Sequence, residues 1–425
     1  MANVYTDEME LCQLPLNNKY NFKYIINSGP IKSIQDLCEK VLDIPISELY
    51  KALSIAEEER YQRASVPKKD GTIRVVYNPH YLIRKIQRKI NSRIFNPKVK
   101  LGKNPGVIKW PPYIFGCIPT QYQEVDEGEL ITDSRDYIAC AKKHCLSKSI
   151  LKIDISNFFD NVHKSIVEDI FKELLKYPDD VAEVLADICC KGEHLVQGGL
   201  TSSYLASLAL WDVEPEVVKR LNNKGLKYTR LIDDITVSSK KQNFQFDLVK
   251  DVIVNMLHNK DLPVNNSKTE VSYASTKPLI VHGLRVNFKE PRLPSDEVSR
   301  IRANVHNVEK LAKERHYRTI HPYRKDFNRC MGRVNKLKRL GHNAHKPLLK
   351  RLQAILPLPS KLDISRCEKM ITRLEADFDK GKGNTIWYWR RYNRASQRLI
   401  VLKRTFIHQA LDFRERLKNV KPTVV

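Results

Sequence analysis

Three aspartates close short apolar runs in this chain. Asp233 and Asp234 lie inside Tyr228-Thr-Arg-Leu-Ile-Asp-Asp-Ile-Thr-Val-Ser238, where β-branched residues on both flanks predict two strands meeting at an acidic tip. Asp154 ends the run Ser149-Ile-Leu-Lys-Ile-Asp154 in the same way. Neighbouring carboxylates repel and are costly to bury, so an apolar hairpin carrying two of them calls for a cation, and a divalent metal is the natural one. Asp is also a common turn residue, and the pair alone would fit a solvated surface turn. A third carboxylate in matching surroundings tips the reading toward metal-assisted chemistry.

Further residues, in order, carry a resemblance. Asp154 with Phe159 five positions on, then Gln197-Gly198, Asp233-Asp234, Asn266-Ser-Lys-Thr269 and Val281-His-Gly-Leu-Arg-Val-Asn287 follow one another like the palm motifs of a reverse transcriptase. Over roughly residues 60 to 345 the chain resembles bacterial retron and related phage-defence reverse transcriptases, in its Asp-Asp-Ile-Thr block and in Ser-Lys-Thr. It departs from them at His282, where they carry Thr, at Leu231, where an aromatic is usual, and at Cys140, where Asn is usual. Leu200 and Ser203 stand where members often have prolines, which leaves the loop after Gln197 without two ring constraints.

The resemblance implies an α+β right-hand polymerase with fingers, a palm built on an antiparallel sheet, a helical thumb and a basic helical C-terminal extension. It implies two Mg²⁺ ions, replaceable by Mn²⁺, on Asp154, Asp233, Asp234 and the backbone carbonyl of Ile155. Lys68 or Lys69 and Arg74 match the residues that hold the triphosphate of an incoming dNTP, by charge pairing with phosphate oxygens. Basic residues on a hairpin can equally be no more than hydrated. Gln197 and Gly198 would face the nucleotide, and Phe159 would collide with a ribose 2′-hydroxyl, making the product DNA. Lys268 is placed to protonate leaving pyrophosphate or offset its charge, although a solvated lysine fits as well. Gly283 and Leu284 fall at the primer grip.

Charge points to the same partners. The 425 residues carry a net +25, and residues 301–425 hold 31 Lys/Arg against 10 Asp/Glu, which concentrates the excess in the tail and favours a polyphosphate partner over a merely solvated surface. Within Trp387-Tyr-Trp-Arg-Arg-Tyr-Asn-Arg394, Arg390, Arg391 and Arg394 interleave with aromatics, a mixture suited to unpaired bases, or equally to a packed helix. Nine scattered cysteines without a Cys-x-x-Cys pair predict reduced thiols in a cytoplasm, which the resemblance implies to be bacterial, and no stretch reaches membrane-spanning length. Partners implied by the resemblance are a structured noncoding RNA template, the DNA product and dNTPs, with a companion defence effector protein and self-association also open. A catalytically reduced RNA-binding scaffold and a group II intron maturase are the alternatives.

The expected organisation is an N-terminal helical segment (1–60), fingers (61–150), palm (151–290, with helices of 160–210 shared with the fingers), thumb (291–360) and the basic extension (361–425). Asp70-Gly71 marks a hairpin turn between β-rich arms. Apolar residues at 82, 83, 86, 90 and 94 predict an amphipathic helix, and the prolines and glycines of 96–119 exclude long elements. Residues 120–136 read as an acidic insertion. Ser165-x-x-Glu168 predicts a capping box, His144 a packed histidine, and 298–315, 327–340, 347–355 and 364–378 basic helices.

Overall fold

β-branched and aromatic residues in short alternating runs build the framework. The structure, a computed structural model, describes residues 31–68, 71–96, 108–125 and 129–423. It divides into two compact units, Met1–Arg292 and Leu293–Val425.

In the first unit, β1 (Tyr61–Pro67) and β2 (Ile73–Pro79) form an antiparallel hairpin with Gly71 in its turn at φ +83°. Asp70 and Lys69, both singled out in the sequence, lie outside the described residues. The amphipathic helix follows as Tyr81–Ile90 and buries Ile83, Ile86 and Ile90, as its spacing predicts. From the stretch rich in proline and glycine comes β3 (Ile114–Phe115), two residues long. The acidic segment folds on itself, β4 (Gln121–Val125) pairing with β5 (Glu129–Asp133).

The central sheet adds β6 (Ser149–Asp154), β7 (Lys227–Leu231), β8 (Asp234–Ser239) and β9 (Glu270–Tyr273), in the order β3-β7-β8-β6-β9. The expected antiparallel sheet holds for every pair but one, since β3 runs parallel to β7. A parallel pair needs a long crossover, and the chain between residues 116 and 226 supplies it. A last hairpin joins β10 (Ile280–Val281) to β11 (Leu284–Arg285) through His282 and Gly283, both with positive φ.

Helices cover the sheet. The expected capping box at Ser165 is replaced by a histidine cap: His163 Nδ1 accepts from Ser165 N–H at 3.2 Å, which places Ser165 inside the Lys164–Asp169 helix rather than at its cap. His144 is a core residue, bridging Thr229 of β7 and Ser238 of β8 at 2.7 Å each, and burial drives its pKa down to about 3. It is therefore neutral across the physiological range.

The sheet also buries an ion pair. Arg230 of β7 and Glu214 of the Glu214–Asn223 helix are both fully buried, joined in a fork by Nε–Oε1 (2.6 Å) and Nη2–Oε2 (2.7 Å). Arg230 also donates to the carbonyls of Ser207 (2.8 Å) and Ile232 (3.2 Å), and Tyr228 donates to Glu214 (2.8 Å).

The second unit is helical, as its basic amphipathic pattern predicts: Ser295–Ala312, His321–Arg339, His345–Ala354, Lys361–Asp379, Ile386–Leu402 and Ile407–Asn419. The division expected at 360/361 is bridged by ion pairing of Arg324 with Asp363 and by Arg404 donating to the Pro357 carbonyl (2.6 Å). Among the described residues no helix is long and apolar enough to cross a membrane.

Removing one partner of a buried pair leaves an uncompensated charge, at a cost of about 3–5 kcal/mol. Glu214→Gln should therefore lower the unfolding free energy by an amount in that range, read by denaturant titration of tryptophan fluorescence, while Arg230→Met with Glu214→Leu should recover only part of the loss, because the Ser207 and Ile232 carbonyls lose their donor.

Candidate active site

Register decides where the acidic side chains meet. β6 and β8 pair from Ser149↔Ser239 to Asp154↔Asp234, so these two aspartates stand opposite one another and on one face. β7 and β8 close through Leu231↔Asp234, leaving Ile232 and Asp233 as a two-residue loop. Ile232 has φ +60° at the first loop position, a conformation that normally falls to glycine and that strains a β-branched residue. The Arg230 bond to its carbonyl holds it, and Gly116 lies against it: a Cβ on Gly116 would sit 2.9 Å from the Ile232 side chain.

The end of β6 is tied to the turn carrying Lys268. Asn265 N–H donates to the Asp154 carbonyl (2.8 Å), while Asn265 Nδ2 (3.1 Å) and Lys268 Nζ (2.9 Å) both reach Asp154 Oδ2. Ile155 N–H donates to the Asp233 carbonyl at 3.1 Å, which locks β6 to the hairpin loop. A cavity of about 540 Å³ opens over this edge. Asp154, Asp233, Asp234 and Lys268 line it on one side, with Phe159, Gln197, Gly198 and Arg74 completing the wall.

Electrostatics at the edge are those of crowded carboxylates. Burial, then Asp233, then Asp154 push the Asp234 pKa up to about 6, and Asp233 is raised chiefly by burial, with Asp154 adding to it. The Lys268 pKa is raised by its bond to Asp154. Among the described residues no three carboxylate, imidazole or thiol groups are gathered tightly enough to hold one ion as the chain stands, and the cation on Asp154 is the Lys268 ammonium. The donor chemistry fits a divalent ion: three hard carboxylates share one edge, and burial together with their mutual repulsion raises the pKa of two of them, which a cation would oppose.

Other expected residues fall elsewhere. Lys68 is exposed near the hairpin turn and does not line the cavity, although Arg74 does. Gly283 has φ +77° with open space where a Cβ would be, and Leu284 is buried. His282 places Nδ1 3.9 Å from Asp234 and Nε2 3.4 Å from Cys140 Sγ, so two departures from the resembling pattern touch each other. In the second unit, Arg391 pairs with Asp377 (2.8 Å) and lies over the Trp387 ring, Tyr388 is core, and Arg390 and Arg394 are exposed one helical turn apart. Gly198 proves tighter than expected: at φ +111°, its Cβ would lie 2.1 Å from the Tyr77 carbonyl oxygen. Sequence reasoning missed Arg230, Glu214, Gln87 and Asn265, all of them polar residues inside or beside apolar runs.

The acidic edge of an antiparallel sheet, facing a cleft walled by a basic hairpin, is the arrangement of a template-directed nucleic-acid polymerase. A family model described as Reverse transcriptase (RNA-dependent DNA polymerase) matches residues 66–298. The chain is 43% identical over 401 residues to the retron Ec48 reverse transcriptase of Escherichia coli, covering 94% of this chain and 95% of that one. It is 30% identical to the retron Se72 reverse transcriptase of Salmonella heidelberg over 352 residues, 81% and 85% of the two chains. A solved telomerase from Candida albicans matches with a TM-score of 0.38 at 10% identity, over 90% of this chain and 67% of that one. The chain belongs to the reverse transcriptase family, and within it to the bacterial retron reverse transcriptases. It is an RNA-directed DNA polymerase, of a family that uses divalent metal ions.

The raised Asp234 pKa has a thermodynamic consequence. Its folded value lies above its unfolded one, so in metal-free protein stability falls as pH rises from about 4 through about 6. Asp234→Asn should raise the Tm of metal-free protein most above pH 7, and the gain should shrink toward zero near pH 4. A gain independent of pH would contradict this.

Proposed function

We propose that the cleft carries out metal-assisted nucleotidyl transfer, with Asp154, Asp233 and Asp234 as catalytic ligands and the Ile155 carbonyl as an auxiliary one. The observation that carries this is the Asp154↔Asp234 register beside the Asp233 turn, at the floor of a cavity of nucleotide size. Two Mg²⁺ ions, or Mn²⁺ in their place, would lower the pKa of the attacking hydroxyl and neutralise charge on the departing pyrophosphate. Asp154 at the end of β6 and Asp233 at the hairpin loop would hold this positive charge, with Asp234 assisting from across the strand pair. Arg74 on β2 faces the same space and binds the triphosphate by charge pairing, with Lys68 or Lys69 as the second cation that the resemblance offers. Phe159 closes the wall where a ribose 2′-hydroxyl would enter, and Gln197 and Gly198 present the loop against which the nucleotide rests. Lys268, which donates to Asp154, is placed to protonate the leaving pyrophosphate or to offset its charge. Gly283 and Leu284 offer a backbone turn to the primer end.

In this reading β1–β2 and the following helix belong to the fingers, the five-stranded sheet is the palm, and the helices from Ser295 onward are the thumb and its extension. Arg390, Arg391 and Arg394 are proposed contacts to RNA, Arg390 and Arg394 from solvent and Arg391 after leaving Asp377. The template is a cognate structured noncoding RNA, copied in a bacterial cytoplasm in the service of antiphage defence, with a companion effector protein and self-association as further partners. The retron relatives, matching over most of the chain, support this over a maturase, and the complete carboxylate set supports it over an inert scaffold.

Asp233→Ala and Asp234→Ala should each lower dNMP incorporation on an RNA template by about 10³-fold or more, a loss of several kcal/mol of charge stabilisation. Equal extension by wild type and both variants rejects the site. Phe159→Ala should lower the preference for dNTP over rNTP, as a ratio of kcat/KM, by about tenfold. Sequencing nucleic acid that copurifies with the protein identifies the template.

A further inference from the structure

The loop that carries Gln197 is held from outside itself, at two points. The Gln197 carbonyl accepts from Tyr77 N–H of β2 at 2.7 Å. Three residues on, Leu200 is gripped on both sides: its N–H donates to Gln87 Oε1 (2.9 Å) and its carbonyl accepts from Asn91 Nδ2 (2.7 Å). Gln87 and Asn91 lie four residues apart, at the end of the Tyr81–Ile90 helix, and so share one face.

Gln87 is fully buried among isoleucines and engages its whole amide group. Besides the bond to Leu200, Nε2 donates to Tyr61 Oη and to the Ile188 carbonyl, each at 2.9 Å. A buried amide left unmatched is costly, so this side chain is fixed in one orientation and Leu200 is a required partner. Proline at 200 would supply a ring but no N–H. Leucine supplies the N–H, and the helix supplies the constraint.

We propose that Gln87 and Asn91 are positioning residues of the nucleotide site, fixing Leu200 and through it the Gly198 turn, so that Gln197 is aimed into the cavity. The proposal rests on the reading of Gln197 and Gly198 as nucleotide-binding. It makes affinity for dNTP depend on two side chains that do not line the cavity.

The test uses full-length protein carrying Gln87→Met, which keeps length and volume but loses the acceptor and with it the two Nε2 bonds to Tyr61 and Ile188, Asn91→Ala, which removes only the bond to the Leu200 carbonyl, and both together. Each single variant should raise KM for dNTP about tenfold, the scale of one hydrogen bond to a buried partner, with kcat and primer affinity within about twofold of wild type. Hydrogen exchange in the peptide spanning 196–204 should quicken in step. The double variant should cost less than the product of the two singles, because both hold the same residue. Should Gln87→Met fail to fold, Asn91→Ala at the helix end carries the test. Unchanged exchange overturns the proposal by removing the tether, and quickened exchange with unchanged KM overturns it by removing the loop from nucleotide binding. A parallel fall in kcat and Tm with KM unmoved assigns both residues to the core alone and also overturns it.

Discussion

Asp154 and Asp234 face each other across neighbouring antiparallel strands, and the Asp233 loop adds a third carboxylate to the same edge. Like charges set opposite one another destabilise a strand pair, so everything around this edge must oppose their separation. The opposition is built in layers. Buried apolar residues on β6 and β8 fix the register, since a slip of one residue would turn Ile153 and Ile235 toward the cleft. The Arg230–Glu214 fork anchors the strained loop from below, and Lys268 lends positive charge from the side. What remains unbalanced is two carboxyl groups with raised pKa, the electrostatic state that a divalent cation would relieve.

The opposite wall of the cleft depends on hydrogen bonds rather than charge. β2 reaches the Gln197 loop through a backbone bond and through the space that only glycine leaves at 198, and the Tyr81–Ile90 helix reaches it through two amides. Arg74, on the same strand as Tyr77, is thereby carried to the cavity that the aspartates also line. Arg74, Gln197, Gly198 and the three aspartates all belong to the first unit.

The second unit shows how far a charge count can be read. Many of its cations are engaged within it: Arg324 with Asp363, Arg351 with Glu309, Arg391 with Asp377 and Arg416 with Glu375. Over residues 301–425, 10 acids cannot neutralise 31 bases, so a large positive excess persists whatever the internal pairing. These pairs are part-buried, Asp363 most of all, and hold the helices together, while the bases in excess of the acids are left for a polyanion.

The sequence by itself determined the strands that end in aspartate, the Asp70-Gly71 hairpin arms, the amphipathic Tyr81–Ile90 helix and the basic helices of the tail, because each is dictated by local periodicity and turn chemistry. Ordered motifs were enough to place Phe159, Gln197 and Lys268 beside the aspartates. Tertiary structure alone decided the rest: that β3 runs parallel to β7, that His163 and not Ser165 caps its helix, that Arg230 and Glu214 form one buried pair, and that Gly198 is glycine because Tyr77 lies against it. These are meetings of residues distant in the chain, and hydrophobic patterning specifies which face a residue takes without specifying which partner it finds there. Gln87 shows the limit, a polar residue on an apolar helical face whose position was visible in the sequence while its reason, the Leu200 backbone, was not.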